Sequence, residues 1–199
     1  GARRRPFVAS TLLAAAAPPA TSMPIYTTQD FSTQTYLRNP DCWAASIDLT
    51  ACSPWNQLGA NTRAGTLVSP RHIVFANHYP LSFADGNNDI VFVTADNVTV
   101  TRQVVGMAWA GGDIRVGVLD SDVPPEIGFV KVLPQDWPDY LWKAQRLPML
   151  VLDQEEKALV RDIVNLQPSF TNVSHTNPVS PLRIPFNETL IGGDSGNPA

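Results

Sequence analysis

Cysteine and charge are both scarce in this chain. It has 199 residues, two cysteines, three histidines and 16% charged residues. A zinc centre needs three or four Cys/His-type ligands at set spacings. Two cysteines and three scattered histidines supply none, so neither a metal nor another cofactor is expected. The net charge is −4, and no Lys/Arg cluster lies beyond the first five positions. A nucleic-acid footprint needs a concentrated basic face, which excludes that partner class. No apolar run is long enough to cross a bilayer, so stable membrane insertion is not expected. Nothing in the sequence sets an oligomeric state. Turn formers are plentiful instead: eighteen prolines and twelve glycines, well spread, predict many short elements.

The first residues read GARRRPFVASTLLAAAAPPATS. Three arginines, an apolar run from Phe7 to Ala17 and then small residues make the layout of a secretory signal peptide. Residues 1–22 are therefore set aside as a leader remnant, and a secreted or periplasmic protein is expected. A disordered Ala/Pro-rich arm is the alternative. In an exported chain, Cys42 and Cys52, with nine residues between them, predict a local disulfide. Two buried free thiols are the other possibility.

Residues 23–41 are polar and Thr/Gln-rich, and read as an N-terminal surface segment. From Trp43 onward short β-like runs dominate: WAASIDLT, RAGTLVS, HIVFAN, DIVFVTA, VTVTRQVVGMAWA and DIRVGVLD. Apolar residues alternate from Val98 to Val104, as in a half-buried strand. Asp96-Asn97 marks a hairpin turn. The proline-rich stretch SDVPPEIGFVKVLPQDWPDY reads as a connection. A second set follows: LPMLVLD, KALVRDIVNL, PLRIPF and TLIGG. DQEEKALVRDIVNL also fits an amphipathic helix, and length does not decide between the two. The fold class is all-β: two successive antiparallel barrels. The first spans 42–120, the connection 121–136, and a second, incomplete barrel 137–199.

Serine needs an adjacent base, itself oriented by a third group, to act as a nucleophile. His72 opens a strand and reads as structural; His175 lies in a polar loop. His78 follows a buried-type strand, which would hold a base at the rim of a cleft. The end of the chain is more telling. In Gly192-Gly193-Asp194-Ser195-Gly196-Asn197-Pro198 the glycines allow a tight turn around the hydroxyl. The amides of Gly193 and Ser195 can then point at a developing oxyanion. A GDSG-x-P string arises by chance about once in several thousand chains of this length. Asp85, Asn87 and Asp89 alternate as in a calcium loop, but Ile90 stands where such a loop needs Gly, so a polar turn is expected. The α/β-hydrolase elbow G-x-S-x-G is excluded because Asn197 fills its last position.

TLVSPRHIVFANHYP, GGDIRVGVLD and IGGDSGNPA together resemble the three active-site segments of the trypsin/chymotrypsin-like serine peptidases, in that family's His, Asp, Ser order. The resemblance is sharp only in those segments. It implies a secreted endopeptidase acting on polypeptides through an acyl-enzyme. Ser195 would be the nucleophile, His78 the base, Asp113 its orienting acid, and Gly193 and Ser195 the oxyanion donors. It places Thr189 and Leu190 at the substrate pocket, where an acid would favour cleavage after Lys or Arg; cleavage after basic residues is thus not expected. Asn77 and Tyr79 flank His78 where the family usually has Ala and Cys, and Arg115 replaces a small residue after Asp113. The family's mature Ile-Val-Gly-Gly-like start is missing, so Asp194 needs another partner. The strands that follow the serine in the family are also missing, so this stretch alone is expected to be inactive. The rival reading is a non-catalytic relative that keeps the two-barrel shell as a protein-binding module.

Overall fold

The computed structural model describes residues 21–30, 32–54, 64–78, 88–132, 136, 146–166 and 173–191. Of the segment 1–22 expected to be a leader remnant, residues 1–20 lie outside them. Among the described residues there are eleven strands and one short 3-10 turn, Ile184–Phe186, and all strand pairing is antiparallel. None of the described helices is long and apolar enough to cross a membrane. The chain runs β1 (Met23–Pro24), β2 (Tyr26–Asp30), β3 (Thr35–Arg38), β4 (Thr66–Ser69), β5 (His72–Ala76) and β6 (Asp89–Val93). It continues with β7 (Thr99–Gly111), β8 (Ile114–Leu119), β9 (Leu147–Leu152), β10 (Lys157–Leu166) and β11 (Val173–Thr176).

Five strands form the first sheet in the order β4-β5-β8-β7-β6. Its residues are the Val, Ile, Thr and Phe runs that favour a pleated, half-buried surface. The β6–β7 hairpin turns at Asp96-Asn97 as expected, with Asn97 at φ 65° and the Thr94 amide donating to the Val98 carbonyl at 2.9 Å. β6 is buried on both faces. Ile90 and Phe92 enter one core with Leu67, Ile73, Phe75, Val104 and Leu119, while Val91 and Val93 enter a second. A strand covered on both sides has no polar alternate positions, hence the unbroken Ile-Val-Phe-Val. Each fully buried side chain of this kind contributes about 1.5–3 kcal/mol.

The second core draws in the segment expected to lie on the surface. Ile25, Tyr26 and Tyr36 are buried in it, and residues 26–38 form the β2–β3 hairpin. Three apolar side chains among polar neighbours suffice when the strands are this short. β1 pairs with β10, which joins β9 and β11 in the other large sheet. DQEEKALVRDIVNL is thereby settled as strand over 157–166, not helix. The proline-rich connection packs its first half on the first sheet, with Val123 and Ile127 buried.

Three further expectations are corrected. Trp43 to Thr50 forms consecutive turns, because Asp48 Oδ1 accepts from the Thr50 amide and hydroxyl (3.0 and 2.7 Å) and gives the backbone a local partner. Pro181 to Phe186 is turn and 3-10 rather than strand; Pro181 and Pro185 have no N–H for a ladder. Cys42 and Cys52 are buried free thiols, not a disulfide. Each packs as a small apolar group in the second core, and burial pushes the Cys52 thiol up to about 12, so no thiolate forms there at neutral pH.

A Cβ at Gly117 would meet Ile73 Cγ1 and Phe75 Cε1 at 3.0 Å, and Val104 Cγ1 at 3.1 Å. Gly117→Ala should cost about 1–3 kcal/mol in urea unfolding. Gly106→Ala, with nothing within 4 Å, should stay within about 0.5 kcal/mol. Two thiols per chain should titrate after unfolding without reductant, and neither should react readily in the native protein; finding none after unfolding would restore the disulfide.

Candidate active site

β5 and β8 pair from His72↔Val118 to Ala76↔Ile114. That register leaves Asn77 and His78 at the exit of one strand opposite Asp113 at the entrance of the other. The turn that presents Asp113 is made by Gly111 and Gly112 at φ 113° and 54°, a left-handed backbone that glycine adopts without strain. The Trp109 indole N–H caps the Gly112 carbonyl at 2.9 Å.

Two hydrogen bonds join His78 to the Asp113 carboxylate: backbone N–H to Oδ1 at 2.8 Å and ring Nδ1 to Oδ2 at 2.5 Å. With Nδ1–H donated to the carboxylate, Nε2 keeps the lone pair that can take a proton. Burial alone would raise the Asp113 carboxyl. The hydrogen bonds and charge of His78 outweigh that and hold it below the ordinary carboxylate range. The two side chains are 53% and 55% exposed, so the pair faces solvent. Exposed ion pairs add little stability. What this one supplies is the orientation of the ring.

Ser195, Gly193 and Asp194 lie outside the described residues, as do Tyr79, Asp85 and Asn87. Thr189 is exposed and Leu190 half-buried. Among the described residues no hydrogen bond ties either to His78. They follow Glu188, whose carboxylate accepts from Ser22 and from Lys157 Nζ. Of the predicted site, the structure brings together His78 and Asp113. His72 is structural as expected, its Nδ1 bonded to Ser69 Oγ at 2.8 Å. His175 lies on β11 rather than in a loop, and its Nδ1 accepts from Arg161 Nε at 3.3 Å. No metal-ligating cluster occurs among the described residues.

Two features were missed by sequence reasoning. Arg161 is buried, and its Nη1 donates to Asn177 Oδ1, Asn187 Oδ1 and the Glu188 carbonyl (2.6, 2.9 and 3.2 Å), fixing the segment that leads to Thr189. The adjacent charged pair Arg161-Asp162 inside an otherwise apolar strand run was its only signal. Arg115 Nε donates to Asn77 Oδ1 at 2.7 Å. Both residues stood out as departures in the sequence, but only the β5–β8 register shows them to be neighbours.

Because the folded Asp113 pKa lies below its unfolded value, the link is complete above the ordinary pKa and is lost as pH falls through the folded one. A carbon-detected titration of the Asp113 carboxyl should show a midpoint below about 3.9, moving up in His78→Ala. An unmoved midpoint would mean that the ring does not hold the carboxylate.

No family profile matches the chain, and no curated protein does. Among solved structures it is similar to human heparin binding protein, with 15% identity, TM-score 0.50, and coverage of 74% of this chain and 72% of that one. Two mutants of the same human protein (CAP37) match with TM-scores of 0.52 and 0.51, each at 14% identity. They cover 77% and 75% of this chain and 75% and 74% of theirs. At such identity the likeness shows the fold alone, and that fold is the trypsin-like all-β architecture.

Proposed function

We propose that the protein is a secreted serine endopeptidase. The observation that carries this is the contact between Asp113 Oδ2 and His78 Nδ1, made across two strand ends with the histidine open to solvent. In this reading Ser195 Oγ attacks the peptide carbonyl while His78 Nε2 takes its proton. The amides of Gly193 and Ser195 stabilise the oxyanion. His78 then protonates the leaving amine, and water hydrolyses the acyl-enzyme with His78 again as base. Asp113 keeps the proton of the ring on Nδ1 and stabilises the imidazolium. Thr189 gives the pocket no acid, which disfavours cleavage after Lys or Arg.

The second reading is a binding module, favoured by the structural neighbours, which are named for binding heparin rather than for catalysis. Heparin itself is a poor candidate here. A polyanion needs a basic face, and this chain has a net charge of −4 and no basic cluster after residue 5.

A fluorophosphonate probe should label the full-length protein, and Ser195→Ala should abolish labelling. Asp113→Asn should lower kcat on peptide substrates by about 10⁴-fold. Folded protein that takes no label would move the assignment to the binding module. A cleavage profile dominated by Lys or Arg would overturn the specificity.

A further inference from the structure

Asn77 directly follows β5 and Arg115 is the second residue of β8, so the two approach the reactive pair from different strands. Ala76 pairs with Ile114 and Phe75 with Arg115, so Arg115 lies one step back from the Asp113 turn. Three bonds cross this point in succession. Arg115 Nε reaches Asn77 Oδ1 at 2.7 Å, the Asn77 amide reaches the Asp113 carbonyl at 2.8 Å, and the His78 amide reaches Asp113 Oδ1 at 2.8 Å. The second and third depend on Asp113 itself. The first does not, and it is the one that grips a side chain at the strand exit. Both residues are half-buried, which shields the bond from competing water.

We propose that Asn77 and Arg115 act as one positioning unit. The guanidinium clamps the amide side chain of Asn77, so the backbone carrying His78 is held in register with Asp113 by a non-covalent tie. This rests on the reading of His78 and Asp113 as base and orienting acid. Neither Asn77 nor Arg115 touches the reacting atoms. Their effect passes through the geometry of the ring, and a misplacement of about 1 Å can cost up to about a hundredfold in rate. The tie requires a directed Nε–H donor in the guanidinium plane, which lysine does not offer. It requires an acceptor at position 77, which aspartate retains.

The test is a double-mutant cycle in the full-length protein: Asn77→Ala, Arg115→Ala and both together, with Asn77→Asp and Arg115→Lys as conservative variants. Turnover is measured with the low-field proton resonance of His78 Nδ1–H, which reads the histidine–carboxylate bond without catalysis. Each alanine variant should lower kcat about tenfold at unchanged KM and broaden the resonance, and the double variant should do no more than either one. Asn77→Asp should stay within about twofold of the parent, and Arg115→Lys should behave like Arg115→Ala. Additive losses, rescue by lysine, or an unchanged resonance would overturn the proposal. If the parent protein takes no fluorophosphonate label, the peptidase reading fails by itself. The resonance then decides the tie: lost in Arg115→Ala and kept in Asn77→Asp supports it, and any other pattern rejects it.

Discussion

The pairing of β5 with β8 is the constraint from which the candidate site follows. Five residue pairs, His72↔Val118 through Ala76↔Ile114, fix where each strand ends relative to the other. A slip of one residue would turn Ile73 and Phe75 out of the core, since side chains alternate with period two. The apolar cost of that slip is what holds His78 opposite Asp113, although 35 residues separate them in sequence. Gly117 is part of the same constraint: its missing side chain is the space into which Ile73 and Phe75 pack. The exposed carboxylate–imidazole bond contributes little to stability, so the core positions the site and not the reverse.

Much of the first sheet was legible because its strands are β-branched runs separated by Gly, Pro, Asn and Asp. The β6–β7 turn was readable from two residues. The WAASIDLT run failed for an opposite reason: its composition suits a strand, but Asp48 offers the backbone a nearer partner than any ladder. At KALVRDIVNL, two periodicities fitted equally well, and only partners on both sides, β9 and β11, select the strand. His78 stands out at the end of a strongly patterned strand, whereas Asp113, an acid before a strand, was singled out only by the resemblance of GGDIRVGVLD to the peptidase segment. The bond between Asn77 and Arg115 could not be found from the sequence. Its two ends are unusual residues in separate segments, and pairing them requires a register that no local pattern encodes.

The two cores explain why the N-terminal segment was underestimated. β6 divides them, and the second core takes side chains from 25–52, from β6 and from β9–β10. Its members are spread thinly along the chain, one or two per element, so no window of sequence looks hydrophobic. Buried polar groups on β10 are equally hard to read from the sequence. Asp162 is sealed from solvent and paired with Arg183, while Arg161 beside it is held by neutral acceptors. Burial accordingly lowers the Arg161 pKa, and burial together with the Arg161 charge lowers that of His175.

The pairing of β1 with β10 has a consequence for how the chain is made. Met23 meets Ala158, and the Ile25 amide donates to the Glu156 carbonyl at 2.7 Å, across roughly 135 residues of chain. At about 5–20 residues per second of synthesis, the first strand waits on the order of ten seconds or more for its partner to leave the ribosome. Through that interval Ile25, Tyr26 and Tyr36 have only part of their core. The β2–β3 hairpin, which forms from residues close in sequence, is the structure available to shelter them until the second sheet arrives.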